Sequence, residues 1–369
     1  MTAADGKRTE RTRDALDHFP VARVVETGVL EVGIGQLQLP CDSTTVFGQI
    51  VDGPFVGCHV APISLARRHC TLVVCPTSCL VWDRGRRVGF ALRSTLFAMP
   101  DAITPADLEG RPIGPVEVAV TADRIALYVD ATGDDPDRWV TEAPPGFGSV
   151  LLFAVADEFL YDPQIVPFTR TLLHLDQSFT YLAPISVGSV LTVNGRVTRV
   201  RHRGDSYFVT FSAEASERES VVMRSVSTFV LSDQQSPPAD AVFEEPPVHQ
   251  RGGNDGSRRS ASRHDLVRYS AVTRDFNPLH WDHDFAVQAG LPGVVVHGLL
   301  MYAWMTQEAT RATGGAEVTA AKIRFKNPLR PAQQAAISAD TDGGNVKLVL
   351  TVGDVQLVTG TATVAFPTE

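Results

Sequence analysis

The sequence predicts an α+β protein whose larger part is a duplicated unit, an antiparallel sheet wrapped around one buried helix. Three observations predict it. The same features recur in the same order in residues 99–230 and 264–369. Each block closes with long stretches of alternating apolar and polar residues, the period of half-buried strands. Each also holds one helix-length, predominantly apolar run, as a buried helix would.

Size and composition are compatible with this reading. At 369 residues the chain exceeds the roughly 100 to 200 residues of one domain, so two or three domains are expected. Hydrophobic content of 44%, charged content of 20% and a mean hydropathy of +0.00 describe a soluble globular protein rather than a disordered or membrane one. No stretch reaches the roughly 20 apolar residues of a membrane span. The first residues are charged and lack the apolar core of a secretory signal, which makes the cytoplasm the expected location. A net charge of -9, without clustered Lys and Arg, argues against nucleic acid as a partner.

Residues 1–98 differ from the rest. They hold 11 Lys and Arg against 9 Asp and Glu, while the remainder is strongly acidic, and all five cysteines lie in them. The spacing of Cys70, Cys75 and Cys79 gives no CxxC pair, and an odd count closes no disulfide framework. Residues 21–40 and 69–82 have the β-branched look of strands, and Gly33 and Gly35 form a GxG too short for a nucleotide loop. Because the composition changes at Met99, this segment is expected to be an extension of unknown fold, either an appended domain or a stretch upstream of the original start.

Within the duplicated part, block one has Tyr128 and, six residues on, Asp134, where block two has Tyr269 and Asp275. Each continues through a proline (Pro136, Pro278) to a tryptophan (Trp139, Trp281) and then to its apolar run, residues 147–160 and 298–310. After each run comes an aromatic-led strand that reaches a Pro-aliphatic turn, and three strand candidates follow. Between the blocks, residues 231–263 collect Pro, Gly, Ser and charge without apolar period, the composition of a linker.

Chemistry concentrates in block two. Asp275 and His280 are five residues apart, roughly 140° around a helix, so they would diverge if helical. Pro278 bars a helix and pushes Asn277 into an extended conformation, so the segment is expected to bend and let the two side chains converge. Asp282 should cap a short helix ending at Gly290. Val296, His297, Gly298 and Leu299 should open the buried helix, whose first free N–H groups suit a carbonyl oxygen and whose Gly298 permits close approach.

Tyr269, Asp275, Asn277, Pro278, Leu279 and His280, followed by Ala289, Gly290, His297 and Gly298, resemble the hydratase motif of the MaoC-like (R)-specific enoyl-CoA hydratase and acyl dehydratase family. The resemblance implies a double hot-dog fold, two antiparallel sheets each wrapping a central helix. Residues 99–230 are similar to the N-terminal repeat of two-repeat members, and 264–369 to the catalytic one. It implies that Asp275 and His280 add water to a trans-2-enoyl thioester of CoA or acyl-carrier protein, giving the (R)-3-hydroxyacyl thioester, or reverse this. Gly298 would hold the thioester oxygen and Asn277 would orient the pair. His297 would lie beneath the site, with Leu299 and Tyr302 along the substrate. No metal or other cofactor is implied, and a homodimer of double hot-dog chains, or a heteromer, is expected.

Two departures stand out. Some single-repeat relatives carry a serine about two turns into the helix, where this chain has the apolar run Leu300 to Trp304. Block one has Arg138 in place of the histidine and Pro144-Pro145 in place of His297-Gly298, so it is expected to be non-catalytic and to shape the acyl tunnel and the contact between repeats. The alternative functions are a non-catalytic acyl-thioester-binding subunit and a hot-dog thioesterase. The latter usually needs a carboxylate early on the helix, whereas here Glu308 stands near its end. The cluster His280, Asp282, His283 and Asp284 can be read as metal ligands, but histidines beside an N-cap aspartate are more simply solvated.

Overall fold

The computed structural model describes residues 103–253 and 256–366, together with the backbone of six strands in the segment before them. The chain divides into two units, Met1–Asp101 and Ala102–Glu369. In the first, β1 (Val29–Val32) pairs antiparallel with β2 (Gly35–Gln38). The strands β3 (His59–Leu65), β4 (Arg68–Cys75), β5 (Ser78–Asp83) and β6 (Arg86–Phe90) form an antiparallel meander. Both strand-like stretches of the sequence therefore contain strands. Gly33, Met99 and the cysteine side chains lie outside the described residues.

The second unit runs twice through one pattern. Its first pass is β7 (Pro112–Ala119), α1 (Ala122–Thr132), α2 (Gly148–Leu160), β8 (Thr171–Tyr181), β9 (Val190–Arg203), β10 (Ser206–Glu217) and β11 (Ser220–Ser232). The second pass is β12 (Arg258–Arg259), α3 (Arg263–Thr273), the short α4 (His283–Gln288), α5 (Gly298–Ala312), β13 (Glu317–Phe325), β14 (Ala335–Asp342), β15 (Asn345–Val352) and β16 (Val355–Ala365).

The strands do not form two separate sheets. Among the described residues they make one antiparallel sheet, ordered β12-β14-β15-β16-β13-β8-β11-β10-β9-β7. Each half has the same internal order, and the halves meet where β8 pairs with β13 in the register Thr180↔Ala320 to Asp176↔Arg324. Edge strands expose unpaired N–H and C=O groups, and pairing two equivalent edges satisfies both at once. Two hot-dog halves thus become one ten-stranded sheet. The linker also differs from expectation at its end, because Arg258 and Arg259 pair with Ala336 and Ala335.

Each central helix lies on the strands of its own half, α2 on β7, β9, β10 and β11, and α5 on β13, β14, β15 and β16. Both are largely buried, as their predominantly apolar sequences require. Each opens on a glycine under an aromatic ring. A Cβ at Gly148 would stand 2.9 Å from the Phe179 ring, and one at Gly298 would stand 3.0 Å from that of Phe325. Phe147-Gly148, behind a short 3-10 turn at Pro145–Phe147, is therefore the counterpart of His297-Gly298, and Pro144-Pro145 is not.

The helices preceding the loops match as well. Thr121 caps α1 by accepting from the Arg124 N–H at 3.2 Å, and Ser262 caps α3 in a reciprocal box with Asp265. Both end on a left-handed residue, Gly133 at φ 64 and Arg274 at φ 71.

Candidate active site

The loop after α3 is built from local hydrogen bonds. Asn277, at φ -54 and ψ 122, accepts from the Leu279 N–H through Oδ1 at 3.2 Å and starts a 3-10 turn over Pro278–His280. Pro278 thus opens a single tight turn, where its missing N–H leaves no bond unmade. The Trp281 indole donates to the Phe276 carbonyl at 3.1 Å and ties the two sides of the bend. Asp282 caps α4 by accepting from the Phe285 N–H at 3.0 Å, and Gly290 beyond it is left-handed at φ 83.

This bend brings three side chains together. A carboxylate oxygen of Asp275 and one ring nitrogen each of His280 and His297 lie within 4.8 Å of one another. Asp275 and His280 are each 9% exposed and His297 is fully buried. The two imidazoles stack, with ring centroids 3.7 Å apart.

Hydrogen bonding fixes which nitrogen carries each proton. His280 Nδ1 lies 2.8 Å from the Val295 carbonyl, which can only accept, so Nδ1–H donates and Nε2 of the neutral ring is left as an acceptor. His297 Nε2 lies 3.3 Å from the backbone carbonyl of Asp275 and 3.0 Å from Ser270 Oγ, so it donates to the loop from beneath. Its Nδ1 is buried without a partner among the described residues.

Burial sets the proton affinities. It pushes the Asp275 carboxyl up to about 7, although the Asn277 N–H favours the charged form. It pushes the His280 imidazole down to about 4 against the opposing effect of the Val295 carbonyl. His297 is lowered further, first by burial and then by His280 beside it. Between about 4 and 7 the pair therefore holds one proton on Asp275 and leaves His280 neutral.

Gly298 follows His297 directly and is the first residue of the 15-residue α5, so its N–H has no acceptor within the helix and stands at the positive end of the dipole. Asn277 is in the loop, but its carboxamide oxygen is engaged with Leu279. Leu299 is buried in the core. Tyr302 packs edge-on against Phe179 of the other half, with ring centroids 5.1 Å apart.

The set His280, Asp282, His283 and Asp284 is not assembled. Asp282 serves as a cap, and His283 Nδ1 lies 2.6 Å from Glu245 of the linker. Among the described residues the one group spaced for a metal ion is Asp275, His280 and His297 itself. In the first half, Arg138 reaches away to the Gly315 carbonyl at 3.0 Å rather than taking the place of an imidazole. Sequence reasoning missed Ser270 and the Val295 carbonyl. Ser270 was discoverable as the neighbour of Tyr269, whereas a backbone carbonyl leaves no sequence signal.

Two family models match along the chain, a MaoC-like domain over residues 244–362 and a FAS1-like dehydratase domain region over residues 107–225. The second repeat belongs to the MaoC-like family and the first matches a dehydratase domain region, on a two-repeat, double hot-dog fold. The chain is 24% identical over 263 residues to 3-hydroxyacyl-thioester dehydratase X of Mycobacterium tuberculosis, spanning 69% of this chain and 89% of that one. To the probable enoyl-CoA hydratase 2 of Dictyostelium discoideum it is 23% identical, over 52% of this chain and 70% of that one. The crystal structure of HtdX from Mycobacterium tuberculosis superposes on 68% of this chain and 100% of its own, with a TM-score of 0.55 at 21% identity. None of the helices among the described residues is long and apolar enough to cross a membrane.

Proposed function

We propose that this protein interconverts 2-enoyl and (R)-3-hydroxyacyl thioesters of CoA or acyl-carrier protein, as a carbon-oxygen lyase acting through Asp275 and His280. The convergence of a buried carboxyl and a neutral imidazole beside the start of α5 carries the reading. In hydration the water oxygen bonds to C3 and gives up a proton to the pair, while the pair returns a proton to C2. The negative charge that passes onto the thioester oxygen is met by the Gly298 N–H and the helix dipole. With Nε2 of His280 free to accept and the Asp275 carboxyl titrating near neutrality, one proton can cross the pair in either direction. The α-proton of a thioester is acidic enough for acid and base alone, so the reading needs no metal.

A small cleft, too small for an acyl chain, lies between Thr171 and Leu172 of the first half and Asn277, Leu279 and Phe285 of the second, so the first half borders the loop. In the thioesterase alternative Glu308 would be the carboxylate, but it is 2% exposed, paired with Arg311, and ten residues along α5 from Gly298. The test is hydration of crotonyl-CoA and longer enoyl-CoAs, with free thiol measured in parallel. Hydration without thiol release is expected. Thiol release, or acyl-CoA binding with no hydration until a second subunit is added, would replace the reading with one of its alternatives.

A further inference from the structure

The two halves exchange side chains from the far ends of their central helices. Nine residues beyond the ring-covered glycine stands Asp157 in α2 and Gln307 in α5. Each reaches the end of the helix that precedes the loop in the opposite half. Gln307 Nε2 donates to the carbonyl of Thr132, the last residue of α1, at 3.3 Å. Asp157 Oδ2 lies 3.9 Å from Nε of Arg274, the residue that caps α3.

The exchange is not symmetric in chemistry. In the degenerate half a neutral amide meets a helix end closed by Gly133, which adopts a left-handed conformation freely. In the half with the motif, that conformation at φ 71 is imposed on Arg274, one residue before Asp275. An arginine accepts such a backbone only where its surroundings hold it there. Asp157 faces the Arg274 guanidinium, and its Oδ1 is buried with no hydrogen-bond partner among the described residues.

We propose that Asp157, supplied by the half without the motif, is a positioning residue for Asp275, holding through the Arg274 guanidinium the left-handed turn from which Asp275 projects. The inference rests on the assignment of Asp275 as catalytic. Charge follows from the same arrangement. Burial and the nearby Asp275 push the Asp157 carboxyl up to about 7 against the pull of Arg274, so the two acids titrate as neighbours. Tyr161, on the helix of Asp157, faces both carboxyls, and Arg124 of α1 faces Arg274. Around Asp275 stand His280, His297 and Tyr269.

Two single variants shift the proton affinity of Asp275 in opposite directions. Asp157→Asn removes a like charge, so the limb of the kcat/KM profile near pH 7 should move to lower pH, by about one unit, with a roughly tenfold fall in kcat. Arg274→Gly relieves the backbone, so it should keep or raise the melting temperature while moving the limb to higher pH. Gln307→Ala, at the matching position opposite, should leave the profile unchanged.

A role confined to folding would lower activity without displacing the limb, and that outcome overturns the proposal, as does a wild-type profile in both Asp157→Asn and Arg274→Gly. Full activity in Asp275→Asn would instead remove the reading on which the proposal rests. The two failures are therefore distinct.

Discussion

The two halves of the duplicated unit share a backbone plan, and the contrast that bears on the candidate site lies at one loop. Both place a tyrosine, a left-handed cap and an aspartate in line, Tyr128, Gly133 and Asp134 in one and Tyr269, Arg274 and Asp275 in the other. In the first, Asp134 turns back on its own chain and accepts from the Asp135 N–H at 2.8 Å, and Arg138 leaves for Gly315. In the second, a histidine is held on the Val295 carbonyl and a second histidine lies beneath it. Trp139 is buried at 9% exposure while its counterpart Trp281 is 47% exposed, so the two loops pack differently on their own halves. Scaffold and candidate site thus separate, because the ring-covered glycine and the central helix persist where the pairing of Asp275 with His280 does not.

The largest expected effect breaks this contrast at the pair. Asp275→Asn or His280→Ala should lower enoyl-CoA hydration by roughly 10² to 10⁴-fold with the far-UV circular dichroism intact, whereas Asp134→Asn should stay within about twofold of wild type. Next come the glycines. Gly148→Ala and Gly298→Ala press on Phe179 and Phe325 alike, so denaturant unfolding should show each destabilised by about 1–3 kcal/mol. Only Gly298→Ala should also lower kcat, and equal loss in both would erase the oxyanion assignment.

Stability against pH sharpens the comparison further. Asp275 binds its proton more tightly folded than unfolded, so its contribution is present at low pH and is lost as pH rises from about 4 towards 7. His280 behaves oppositely, because its folded affinity is depressed, and its contribution is lost as pH falls from about 6.5 to 4. Across that window the two slopes oppose. Relative to wild type, Asp275→Asn should therefore gain stability with rising pH and His280→Ala should lose it, as unfolding midpoints at a series of pH values would show. The smallest expected effect is that of a chelator, which should leave turnover unchanged.

Much of this architecture was legible in the sequence. The repeat could be read because the tyrosine, aspartate, proline and tryptophan recur at close spacing, and the central helices because each is a helix-length, mostly apolar run. The bend at Pro278 followed from proline stereochemistry, although its 3-10 turn did not. Other features depend on contacts between distant residues. The joining of β8 to β13 is a pairing of edges that leaves no local pattern, and the link between Asp157 and Arg274 spans more than a hundred residues. The match of Phe147-Gly148 to His297-Gly298 was obscured by the turn at Pro145–Phe147, which offsets the two helix starts by three residues.

The strand pairing between Thr180 and Ala320 has one further consequence. Two hot-dog modules on separate chains would part company on dilution, and a site leaning on both would fade with them. Here the tether keeps each module at a fixed local concentration for the other, whatever the amount of protein in solution. On the proposed reading, the module without the motif is then free to lose its own chemistry, provided that its backbone still offers an edge to its twin.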